Sequence, residues 1–195
     1  IAEENIPSVR GASQAYGLSF VPGTWVESIQ ITKGAGSVIN GYESISGQIN
    51  YELLKPAYDD AFFANAYADM SERYEINTHF NNKFSDKLSS TLFLHGNTRF
   101  GKFDNNNDGF LDNPIGKQVN VLNRWQYNDV ESGIVSFLNL RYMKDDKQAG
   151  QMHFNPDTDK LTTNHWGSEI HTEKFDFSNK IGYVFKDMPY QSLGF

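Results

Sequence analysis

The chain has 195 residues, no cysteine, a formal net charge of -7 at pH 7 and a pI near 5.2. The acidic balance speaks against the basic face that nucleic-acid binding uses, and the missing cysteines exclude disulfides, thiolate zinc sites and thiol catalysis together. Its length fits one large domain or two small ones.

No run approaches the ~18 apolar residues of a membrane-spanning helix, and the mean hydropathy is -0.56. Barrel strands alternate and leave only a weak hydropathy signal, so this pattern is compatible with a β-barrel, and the 14% aromatic content fits one. Ile1 follows no initiator Met, signal peptide or basic leader, so the expectation is a piece of a longer protein.

From Ile1 to about Lys55 the chain is rich in Gly and Ser and carries little charge. Val9-Arg-Gly-Ala, Tyr16-Gly-Leu and Val21-Pro-Gly read as loops and short strands. Val26, Ser28 and Gln30 alternate with Glu27, Ile29 and Ile31, which predicts a strand over Val26 to Thr32. A second strand is predicted from Ile45 to Leu53, closed by Pro56, which has no N–H for a central ladder. Between the two, the closely spaced glycines Gly34, Gly36, Gly41 and Gly47 permit positive φ and close backbone approach.

From Ala61 the pattern changes to long alternating runs. Tyr74, Ile76, Thr78, Phe80 and Phe84 oppose Arg73, Glu75, Asn77, His79 and Asn81. Leu88, Leu92, Leu94 and Phe100 oppose Ser89, Thr91, His95, Asn97 and Arg99. Val119, Val121, Trp125 and Tyr127 oppose Gln118, Asn120, Arg124 and Gln126. Ile134, Leu138, Leu140 and Tyr142 oppose Asn139 and Arg141, with Val135 and Phe137 blurring the contrast. Phe175, Phe177, Ile181, Tyr183 and Phe185 oppose Lys174, Asp176, Ser178 and Lys180, and a last strand begins at Tyr190. Several of these runs reach the ~9–11 residues of a tilted membrane strand. Tight joints are predicted at Ser85-Asp86, Asp129 to Ser132 and Lys186 to Pro189, and long ones from Gly101 to Lys117 and from Asp145 to about His171. Short turns at one edge and long loops at the other are a habit of outer-membrane barrels.

The segment Ile29-Gln-Ile-Thr-Lys33-Gly34, then Gly36-Ser37, Asn40-Gly41-Tyr42 and Gly47-Gln-Ile49-Asn50, resembles the end of the plug domain of TonB-dependent outer-membrane receptors. The resemblance covers about Val21 to Lys55 and is architectural beyond. Ser46 stands where many members carry the first of two glycines, and Ala35 where proline is frequent, so the ligand subclass is left open. It implies that Lys33, Gly34, Gly36, Gly41, Gly47 and Asn50 are structural and that residues 1–56 end a plug. Residues 57–195 would then be the first six to seven antiparallel strands of a partial transmembrane β-barrel. It further implies location in the outer membrane of a Gram-negative bacterium, contact with its lipid, and energy supplied by TonB through a segment upstream of Ile1. The imported ligand would be a small scarce nutrient such as a siderophore, cobalamin or other metal chelate. The other readings of the glycines are turn punctuation in any β-rich domain, or a phosphate cradle. Walker spacing does not follow Lys33-Gly34, which speaks against the cradle.

Asp104, Asn106, Asp108, the carbonyl of Phe110 and Asp112 place oxygen donors at alternate positions around Gly109, a spacing suited to Ca²⁺. Ile115 stands where an EF-hand has its bidentate Glu and Pro114 disfavours an exiting helix, so a freestanding loop between strands is expected. An Asx-rich turn that satisfies itself is the alternative. Some cobalamin receptors of the resembled family use calcium to order outer loops.

His79, His95, His153, His165 and His171 lack zincin spacing, although His165, His171 and Glu169 are near enough in sequence to meet on a loop. Trp125, Tyr127, Tyr142 and Trp166 suit an interface belt, with ligand contact a second role for Trp166. No nucleophile or base assembles, so an enzyme is not expected. The competing class is a soluble, calcium-stabilised β-rich binding module or adhesin.

Overall fold

The computed structural model describes residues 1–9, 16–36, 45–186 and 188–195. The chain is mainly β and separates into two units, Ile1–Asp59 and Asp60–Phe195.

The first unit is built on four strands: β1 (Ala2–Glu3), β2 (Ile6–Pro7), β3 (Val26–Lys33) and β4 (Gly47–Leu53). They lie in the order β2-β1-β4-β3, with β1 parallel to β4 and β3 antiparallel to it. Val21-Pro-Gly leads into a 3₁₀ turn at Gly23–Trp25 rather than a strand, and a second such turn spans Gly17–Phe20. Ala2, Phe20, Trp25, Tyr51 and Leu53 are buried, whereas Ile29 and Ile31 on the edge strand β3 are exposed. The strand predicted from Ile45 begins two residues later, at Gly47.

The second unit is one antiparallel sheet. Its strands are β5 (Phe62–Ala68), β6 (Arg73–Lys83), β7 (Leu88–Arg99), β8 (Ile115–Asp129), β9 (Ile134–Gly150), β10 (Gly167–Phe185) and β11 (Met188–Gly194). Each pairs with the next, and among the described residues the sheet is open, with β5 and β11 at its edges. A meander needs only hairpins, and the turn residues supply them. The Ser85 hydroxyl accepts the N–H groups of Lys87 and Leu88, while the Asp129 carboxylate accepts those of Glu131 and Ser132. Lys87 reaches Asp129 at 3.0 Å and ties those two turns together.

At the opposite end of the strands, the turn at 69–72 folds around one carboxylate. Asp69 accepts from the Ser71 hydroxyl at 2.6 Å and from the N–H groups of Ser71 and Arg73 at 2.9 and 3.2 Å. The Ser71 hydroxyl foremost, then the Arg73 N–H and the Tyr67 phenol, hold the Asp69 pKa down to about 2. With its folded value below the usual 3.8, this turn gains stability above about pH 4 and loses it as pH falls toward 2. The Asp69 carboxyl ¹³C shift should therefore titrate with a midpoint near 2, and a midpoint near 4 would mean that these bonds are not made.

The long joints are shorter than the periodicity suggests, at 100–114 and 151–166 rather than Gly101 to Lys117 and Asp145 to His171. The strands run on because their charged ends pair across the ladder. Gln118 donates to Asp145 at 3.2 Å, and His171 lies 2.8 Å from Asp146. A sheet in water needs no apolar residues, so hydrophobic alternation stops before the hydrogen bonds do.

Candidate functional site

Alternation decides which side chains share a face, and register aligns those faces across strands. One row runs Phe80, Leu92, Asn123, Leu140 and Phe177; the next runs Thr78, Leu94, Val121, Tyr142 and Phe175. This apolar face is the exposed one: Ile76, Phe80, Val119, Phe175 and Phe177 all lie open. The opposite face is buried although it carries Asn77, His79, Thr91, His95, Gln118, Asn120, Arg124, Gln126, Asn139, Arg141 and Asp145. A water-soluble sheet would have these reversed, since buried polar groups cost free energy unless paired.

Part of the buried face meets that requirement through neighbours in the ladder. His95 Nδ1 lies 2.7 Å from Asn77 Oδ1, and Asn97 donates to Gln118, which donates to Asp145. Arg124 donates to Asn139 at 3.2 Å while its guanidinium lies 4.7 Å from the Phe137 ring centroid. Apolar and aromatic residues interleaved with the polar ones form a seam on this face. His79 stacks on Phe63 and meets Phe93 edge-on, and Phe93 pairs with Leu122.

Polar residues on the apolar face bond back into the sheet. Thr78 donates to the Phe63 carbonyl and Thr98 to that of Gly116. Asn123 donates to Ser90 and accepts from the Trp125 indole, and Ser136 donates to Asn179. Aromatic rings flank the band. Tyr74 and Phe100 lie 5.8 Å apart at one end, and Phe84 stacks on Trp125 at the other with Tyr127 and Tyr183 on the same flank. Toward the Tyr74 end the same face turns charged on β8, β9 and β10, through Lys144 and Glu173 level with Ile76, Lys117, Asp146 and His171 level with Tyr74, and Glu169 beyond. A shallow groove of about 400 Å³ crosses this collar beside Lys117, Asp146 and His171. His171 contacts Asp146 through one ring nitrogen and Glu169 through the other, at 2.8 and 3.0 Å. His165 instead pairs with Asp159, so the anticipated meeting of His165 with His171 and Glu169 takes the form of two separate pairs.

The glycine motif sits on the β3–β4 pair. Lys33 faces Gly47 in register and the Gly34 N–H donates to the Ser46 carbonyl. Gly36 is described but joins no strand, and Gly41 lies outside the described residues. Asn50 has a definite role. Its side chain accepts the Asn5 N–H at 2.7 Å and donates to Gln30, joining the β1–β2 turn to β3 through β4. Glu4 and Asn5 in that turn hold positive φ, 53° and 66°, a conformation that needs such a clasp. Asn50→Leu leaves the Asn5 donor and the Gln30 acceptor unpaired, and is expected to cost about 1–3 kcal/mol in urea unfolding; a loss under about 0.5 kcal/mol would refute the clasp.

In the acidic loop, the two Asp104 oxygens accept the N–H groups of Asp108 and Gly109, Asp108 accepts that of Phe110, and Asp112 accepts two donors from Asn105. The oxygen-rich donor set suits a hard cation, and it also satisfies itself as an Asx turn. Among the described residues no group of three His, Cys, Asp or Glu is placed to hold a metal ion. No family model matches the chain, and no curated protein matches it.

Proposed function

We propose that the second unit is a sector of a membrane-embedded β-barrel, and that the parent is a TonB-dependent outer-membrane receptor importing a scarce nutrient such as a siderophore, cobalamin or other metal chelate. The observation that carries the membrane part is the reversed polarity of the sheet, apolar side exposed and polar side buried. The apolar stretch of β10, Phe175 to Phe185, has the ~9–11 residues of a tilted spanning strand, and polar groups within the band are bonded internally, as lipid demands. The joints at the Phe84 end, 84–87 and 130–133, are short, and two of those at the other end are long, as in bacterial barrels. The receptor part rests on the glycine motif, with Gly47 and Asn50 each in a structural role. The proposed role is transport.

Heat-modifiable migration of the full-length chain in detergent tests this reading. A monodisperse monomer in water without detergent would sink it in favour of the soluble calcium-stabilised module or adhesin. Calcium remains a proposed ligand of the 104–112 loop. Titration of the chain with Ca²⁺ is expected to give millimolar-range binding, weakened at least fivefold by Asp108→Ala; heat-free titration would leave the self-satisfied turn.

A further inference from the structure

The two long loops of the second unit are fused into one corner. The Leu111 N–H donates to the Gly150 carbonyl, the Met152 N–H to that of Gly109, and Lys102 to that of Met152. Gln151 grips Trp166 twice, donating its N–H to the Trp166 carbonyl at 2.9 Å and accepting the Trp166 N–H on its side chain at 2.8 Å. The indole is thus held by its backbone, yet it is 65% exposed, with the 38%-exposed Phe110 ring 6.0 Å away.

Neither bland account of Trp166 fits. Packing is excluded by the exposure. A belt role is excluded by position, because Trp166 lies nine residues beyond Phe175, where the apolar band of β10 ends. At ~3.3 Å per residue and a tilt near 45°, that is roughly 20 Å above the hydrocarbon edge, with the charged collar between. An exposed, preorganised aromatic face is worth most to a ligand that exploits its π electrons, and tryptophan offers the strongest such face to a cation. The charge of the corner selects the same sign: the two loops carry Asp104, Asp108, Asp112, Asp157 and Asp159 against Lys102 and Lys160. Lys160 is already engaged by Glu169 at 3.1 Å.

We infer that the Trp166–Phe110 corner is a recognition site for an organic cation, such as an alkylammonium group on the solute to be gathered. That the corner faces the outside rests on the membrane reading; the site itself does not. An anionic chelate is disfavoured here by the excess of acidic over basic residues in the two loops.

Calorimetric titration of the full-length chain in detergent tests this, with a calcium chelator present so that the acidic loop keeps its charge. The probes are tetraethylammonium, the neutral sugar maltohexaose and an anionic ferric tricatecholate. Tetraethylammonium is expected to bind best, and Trp166→Leu, which keeps apolar bulk but removes the π face, is expected to weaken it about three- to tenfold. Trp166→Phe should retain most of the affinity, and neither variant should shift the unfolding midpoint, since the ring is exposed. Failure to bind the cation, preference for either other probe, or affinity unchanged in Trp166→Leu would each overturn the site. Vesicle partition of the same chain is scored separately, so the site and the membrane reading stand or fall independently.

Discussion

Phe177→Arg is expected to destabilise the full-length chain in lipid vesicles by about 1–3 kcal/mol, between the midplane and interfacial costs of arginine in a barrel, because Phe177 lies two residues inside the edge of the apolar band at Phe175. Phe177 is 65% exposed and lies within the apolar stretch of β10. In water, arginine at so open a position would be neutral within about 0.5 kcal/mol, because the ring it replaces buries little. The sign of the medium effect therefore decides between a lipid-facing and a solvated sheet. His171→Arg supplies the depth control, since it sits six residues up the same face among charged groups. Its expected cost is about 0–1 kcal/mol, the value for an interfacial position. Equal costs at the two positions, measured as urea midpoints in vesicles, would remove the band from the membrane.

The long strands of the second unit were legible because their alternating runs keep phase over most of their length, Val135 and Phe137 in β9 excepted. From Tyr74 to Phe80 or from Val119 to Tyr127, a single parity carries the apolar residues, and register in the structure preserves it. What alternation does not encode is which face is buried. Phe93, Leu122 and Met143 lie on the polar side and are fully buried there, and nothing in the sequence distinguishes them from misplaced outer residues. The ends of β8, β9 and β10 were hidden for a different reason. Lys117, Asp145 and Asp146 read as loop residues, yet each has a cross-strand partner of suitable charge or hydrogen-bonding character.

In the candidate sites, spacing identified the oxygen-rich loop and the glycine motif but not their partners. Asn50 was picked out by resemblance, while its work depends on Asn5, which lies 45 residues away in sequence. The Trp166 corner required both loops to be placed, since Phe110 and Gln151 reach it only through the bridge between them. Long-range pairing of this kind leaves no periodic trace.

The second large effect is expected at Gly47. A Cβ there would lie 2.7 Å from the main-chain oxygen of Thr32, and the φ of +157° is one that side chains rarely adopt. The obstacle is backbone in the neighbouring strand, so relief requires β3 and β4 to separate where Lys33 meets Gly47. Gly47→Val should therefore cost about 2–4 kcal/mol through steric overlap and backbone strain together. Gly34, one residue past β3, presents a contrast within the same motif. Its φ is +83° but a Cβ there meets nothing within 4 Å, so Gly34→Ala incurs only the left-handed backbone penalty of about 1–2 kcal/mol. Trp25 is 1% exposed in the same unit and reports its unfolding by fluorescence once Trp125 and Trp166 are replaced by phenylalanine. If Gly47→Val proves no more costly than Gly34→Ala, close strand approach is not what this glycine provides, and the structural role assigned to it by the plug resemblance loses its physical basis.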